Sequence, residues 1–228
     1  VVDDTAYFGS TEGRLYAVNA RTGAVRWAYN TGGRMNASPS ISGKRVCIST
    51  YAGSVFCLDR RNGRKLWSTY IKRGTFGYES FYASASTDGA RLYTTSRGGK
   101  VVALSAASGR VLWTYQMGDW GYATPAIADG RVYVGSFDGR LRALRATTGR
   151  VIWETQLGRI LAPALVVGPL VFASTREHET FALRASDGKV VWERSRGAYA
   201  PGIATDRHYY LSLGKILVAY RGQRSPRP

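Results

Sequence analysis

Few side chains in this 228-residue chain could do chemistry, and their spacing narrows what it could be. Cys47 and Cys57 are the only cysteines, His178 and His208 the only histidines. Two thiols with no His or further Cys beside them cannot complete a tetrahedral zinc site. They read as a disulfide or as two buried thiols. The 15 acidic residues are dispersed, with Glu12, Asp88, Asp129, Asp138 and Asp187 at turn positions and Glu154 and Glu193 beside tryptophans. None forms the oxygen-rich loop of a calcium site. No Ser or Cys is arranged with a base as a nucleophile would be, and the glycines do not make a phosphate-binding loop. The residues therefore predict no catalysis, no metal and no cofactor for this segment. His178 reads as a turn residue and His208 as the start of a strand.

The elements that must position these side chains come from a repeat. Five runs, NARTGAVRW, DRRNGRKLW, SAASGRVLW, RATTGRVIW and RASDGKVVW, close at Trp27, Trp67, Trp113, Trp153 and Trp192. A period of about 40 residues marks a repeat architecture. Residues 124–158 show one unit as four short runs, each bounded by a turn signal and rich in Val, Ile, Tyr and Trp, the pattern of antiparallel strands. No helical period appears over a useful length. Gly13, Gly53, Gly99 and Gly139 fit the left-handed third position of a three-residue hairpin loop, and His178 takes that slot in the fifth copy. Each Trp is best buried between neighbouring units.

The hairpin register makes the cysteines informative. If residues 51–53 form the loop, Cys47 falls opposite Cys57, where other copies pair Tyr7 with Ala17, Tyr93 with Ala103, Tyr133 with Ala143 and Phe172 with Ala182. Opposed strand residues are close to disulfide reach. A bond there would imply an oxidising compartment.

The runs from Ala17 through Asn19, Thr22 and Gly23 to Trp27, and from Ala143 through Thr148 and Gly149 to Trp153, resemble the tryptophan-docking repeat of the pyrroloquinoline-quinone (PQQ) propellers. That superfamily includes the quinoprotein alcohol dehydrogenases and the non-enzymatic BamB-type propellers. The resemblance implies an all-β fold, a β-propeller of four-stranded antiparallel blades. About six modules lie in this segment, and the full-length ring would have six to eight blades. It implies one domain over residues 1–220, and the polar, basic, Pro-containing run 221–228 reads as a disordered tail. Copy one lacks its inner strand and copy six its outer one, so the chain reads as the C-terminal modules of a longer protein. The dehydrogenases of the superfamily carry two adjacent cysteines over the cofactor and a calcium held by Glu, Asn and Asp, and Cys47 and Cys57 depart from that pattern. The BamB-type propellers are the nearer likeness.

Charge and loops point to binding. The net charge of +17 favours an anionic partner or serves solubility, with arginines such as Arg142 and Arg145 readable as surface solvation. The loops joining successive copies pair Arg with aromatic or apolar residues: Arg34 and Met35; Arg73, Phe76 and Tyr78; Trp120 and Tyr122; Arg159; Arg196 and Tyr199. Trp, Tyr and Arg dominate binding hot spots, although aromatics here could also plug the inner channel. The expected function is a non-catalytic, extracytoplasmic scaffold that binds a protein or peptide through its loop face, with an anchor in a preceding segment. One alternative is a binder of an anionic cell-envelope polymer or glycan through Arg34, Arg73, Arg159 and Arg196. Another is a PQQ-dependent dehydrogenase with its site in further modules. Nucleic acid is not expected, since no motif for it appears, and no stretch of 18 apolar residues exists to span a membrane.

Overall fold

A computed structural model describes residues 1–71, 80–195, 202–205, 208–213 and 216–221, and these contain 22 strands and no helix. The strands form six antiparallel sheets in chain order. The second to fifth sheets have four strands each, and the first and sixth have three. The fourth sheet shows the unit: Ala126–Ala128, Arg131–Gly135, Arg140–Arg145 and Val151–Gln156, each paired with the next. The short first strands of neighbouring sheets touch one another, as the inner strands of propeller blades do. The fold is the β-propeller that the repeat predicts.

Strand and turn chemistry agree closely. The glycines of the three-residue loops sit at φ between 78° and 86°, and His178 takes the same conformation at 66°. Each of the first five sheets has a bulge where its last two strands pair. In every case it falls directly after the residue opposite the Trp, for example between Ala143 and Leu144. The bulge strengthens the local twist and turns the outer edge away from further pairing.

The tryptophans join one sheet to the next. The indole Nε1 of Trp27, Trp67, Trp113 and Trp153 donates to the backbone oxygen of Arg60, Ala106, Ala146 and Ala185 respectively, at 2.9–3.1 Å. Each ring lies flat on a turn glycine of the following sheet: Gly63, Gly109, Gly149 and Gly188. These glycines are required twice over, by a left-handed φ of 71–73° and because a Cβ would enter the indole. Tyr7, Tyr93 and Tyr133 pack 5.9 Å from Trp27, Trp113 and Trp153, and the first two also donate to the carbonyl that the indole uses. Trp192 is half-buried and packs beside Phe172, Tyr209 and Leu211.

In the second sheet the tyrosine is replaced. Cys47 pairs directly with Cys57 at a Cα–Cα distance of 4.1 Å, and the two form a disulfide, fully buried beside Trp67. A covalent bond thus occupies the position that a Tyr–Ala pair holds in neighbouring sheets.

One surface expectation is overturned. Arg142 is buried between the third and fourth sheets, where its guanidinium bonds both oxygens of Asp138 at 2.6 and 3.0 Å. Glu154 stands 3.3 Å from its Nε, and the Tyr115 ring lies 6.0 Å away. A guanidinium enters such a place only with carboxylates supplied. Burial pushes the Asp138 carboxyl up, but hydrogen bonds from Arg142, Ser136 and the Arg140 backbone, together with the Arg142 charge, outweigh this and hold it below its ordinary value.

Candidate binding face

Because adjacent strands run in opposite directions, two sets of loops open on the same end of the propeller. One set joins each outer strand to the next inner strand, and the other is the hairpin between the second and third strands. A repeated pair of backbone bonds fixes them together. Tyr51, Arg97, Phe137 and Arg176, each first in its hairpin loop, donate N–H to the carbonyls of Arg34, Ser80, Trp120 and Arg159, at 2.7–3.0 Å. In return, Met35, Phe81, Gly121 and Ile160 donate to Ser10, Thr50, Ser96 and Ser136. The residue between these bonds points inward, so Met35, Phe81 and Ile160 are buried core plugs. Met35 therefore lies beneath the face, against Leu15, Val46 and Ile48, and is not accessible to a partner. Its neighbour Arg34 is exposed.

Beside the plugs Ser80 is buried, whereas Tyr82, Trp120 and Tyr122 reach the surface. There Tyr51, Tyr82, Tyr122, Trp120 and Phe137 form one continuous aromatic arch. Ring centroids are 5.1 Å apart for Tyr51–Tyr82, 5.2 Å for Tyr82–Tyr122 and 5.8 Å for Tyr122–Phe137. Trp120 is 5.9 Å from Phe137 and 6.2 Å from Tyr122. The Arg97 guanidinium lies 4.8 Å over the Trp120 ring, within cation–π range. Hydrogen bonding to Tyr82 holds the Tyr51 phenol below its ordinary pKa and pushes that of Tyr82 up. The arch ends at an open cavity of about 600 Å³ lined by Trp120, Tyr122, Phe137, Leu161, Arg176 and His178.

The structure thus brings Trp120 and Tyr122 into one site. Arg159 is engaged by Glu177, to which its Nε donates at 2.7 Å while its backbone N–H donates to the same carboxylate. Slight burial opposes ionisation of Glu177, but Arg159 holds its pKa down. Arg73, Phe76, Tyr78, Arg196 and Tyr199 lie outside the described residues. Sequence reasoning missed Tyr51, Tyr82, Arg97, Phe137, Arg176 and His178 as site residues. The signal was present in strand direction, which sends the hairpin loops to the same end as the connecting loops.

Among the described residues, no three or more His, Cys, Asp or Glu gather closely enough to hold a metal ion. The disulfide lies inside a blade, fully buried, so it cannot present a vicinal cysteine ring to a quinone at the channel. In that respect these residues do not fit a PQQ site.

Comparison with known proteins agrees with the geometry. The family model described as outer membrane protein assembly factor BamB (PQQ_2) matches residues 1–75 and 73–208. BamB from Moraxella catarrhalis superposes with a TM-score of 0.79 at 23% identity, covering 96% of this chain and 71% of that one. A europium-containing methanol dehydrogenase superposes at 0.71 with 16% identity, over 86% of this chain and 50% of its own. Among curated sequences, BamB of Shewanella oneidensis is 34% identical over 61 residues, 27% of this chain and 15% of the relative. Polyvinylalcohol dehydrogenase of a Sphingopyxis species is 30% identical over 79 residues, 31% of this chain and 12% of the relative. The matches therefore span only a small part of both curated relatives.

Proposed function

The chain belongs to the family of the outer membrane protein assembly factor BamB, and we propose that it is a non-catalytic, extracytoplasmic scaffold that binds a protein or peptide through its loop face. The observation that carries this reading is the aromatic arch from Tyr51 to Phe137. Its rings are half-exposed, held in place by inter-blade backbone bonds rather than by core packing, and flanked by Arg97 and Arg176. Tyr and Trp offer large contact area with few rotors to freeze, and Arg adds charged anchoring, which is why these types dominate hot spots. The buried disulfide supports an oxidising compartment.

The test replaces Tyr82, Tyr122 and Phe137 together by Ala and measures capture of envelope protein by immobilised chain. Loss of a hot-spot cluster at about 2 kcal/mol per residue should weaken capture by well over tenfold, with circular dichroism unchanged. Undiminished capture by the triple variant would overturn the assignment.

A further inference from the structure

The opposite end of the propeller carries an independent pattern. There, turns join first to second strands and third to outer strands. Among the described residues of the first five sheets, Arg and Lys outnumber Asp in the turns at this end. At the loop face the two signs nearly balance. Four of the acids at this end are already engaged: Asp3, Asp4, Asp88 and Asp187 pair with Arg60, Arg21, Arg91 and Arg184. Arg64, Arg110, Arg150 and Lys189 are exposed and form no ion pair among the described residues. Two positions after each of them stands an aliphatic side chain at the outer-strand bulge: Leu66, Leu112, Ile152 and Val191, between 36% and 50% exposed. Four successive blades thus present the same pair, a free cation beside a protruding aliphatic, at one level along the rim.

We propose that this rim docks on the surface of an anionic lipid bilayer, the cations meeting headgroup phosphates and the aliphatics entering the headgroup–acyl boundary. Two features select this occupant. A soluble polyanion would use the charges and leave the aliphatics in water, and a compact protein partner would not need one motif repeated across four blades. Basic residues near an anionic membrane and apolar residues at its interface reinforce each other. Docking by this end would leave the aromatic loop face turned away from the bilayer.

The experiment is co-sedimentation of the full chain with vesicles of phosphatidylcholine alone or mixed with phosphatidylglycerol, over a salt series. Binding is expected only with phosphatidylglycerol. Replacing Arg64, Arg110, Arg150 and Lys189 together by Gln should lower partitioning roughly a hundredfold or more, at about fivefold per cation. Leu66→Ser, Leu112→Ser and Ile152→Ser together should lower it about tenfold or more with charge unchanged. Melting curves certify that both variants fold, and the Tyr82/Tyr122/Phe137 variant should bind vesicles normally. Equal binding to phosphatidylcholine alone, or no effect of the four Gln replacements, would overturn the proposal. So would full retention by the serine variant with polyphosphate competing equally, which would make the rim a general polyanion site.

Discussion

Tryptophan docking can be isolated within this chain, because the same substitution is available with and without an indole above it. Gly149 and Gly23 occupy equivalent turns with φ of 71° and 74°. A Cβ on Gly149 would lie 2.5 Å from Cε3 of Trp113, whereas one on Gly23 meets nothing within 4 Å. Gly23→Ala should therefore cost only the left-handed backbone penalty, about 1–2 kcal/mol. Gly149→Ala adds displacement of Trp113. That breaks the 2.9 Å bond from Nε1 to the Ala146 carbonyl, worth about 1 kcal/mol, and loosens its contact with Tyr93, worth about 0.5–1.5 kcal/mol. The total is about 2.5–4.5 kcal/mol. For a chain of this size it corresponds to a fall in Tm of about 5–18 °C, against about 2–8 °C for Gly23→Ala. Denaturant unfolding followed by tryptophan emission measures both variants, and the docking account requires a gap of at least about 1.5 kcal/mol between them. Equal costs would show that the glycines answer to turn conformation alone.

Other consequences are independent of docking. Asp138→Asn leaves Arg142 buried with only Glu154 near its charge and should cost about 2–3 kcal/mol at neutral pH, less than full loss of a buried pair. The native pKa of Asp138 is depressed, so its stabilisation is complete above the ordinary carboxylate range and is lost as pH falls through the native value. Unfolding titrations should thus show the gap between wild type and variant holding down to about pH 4 and closing below it. Cys47→Ala with Cys57→Ala should lose about 2–3 kcal/mol of loop-closure stabilisation as well as packing. Cys47→Tyr with Cys57→Ala restores the pair used elsewhere and should recover part of it, as denaturant midpoints will show. Titration with PQQ and calcium should give no dye reduction with short alcohols, and turnover would contradict the non-catalytic reading.

The fold was open to reading from sequence because each unit repeats its own punctuation. Gly139 and Gly149 bracket a strand, Trp153 closes the unit, and the equivalent loop at residues 51–53 sets Cys47 opposite Cys57. The site was only partly legible. Trp120 and Tyr122 stood out as aromatics in a connecting loop. Their partners Tyr51 and Phe137 share a hairpin position with Thr11, Arg97 and Arg176, so no residue type recurs there to draw notice. Met35 looked like a surface residue because its burial depends on backbone bonds to the hairpin beside it. Arg142 looked solvated because Tyr115, which covers it, comes from the preceding blade.

The central claim is that the aromatic end recognises a polypeptide. It is tested most directly by placing a photo-crosslinking phenylalanine derivative at Tyr122 and, separately, at Leu112 on the opposite rim, then irradiating cells that express each variant. The account predicts a discrete polypeptide adduct from the Tyr122 position that is absent from the Leu112 position. No protein adduct at Tyr122, or the same adducts from both ends, would contradict it.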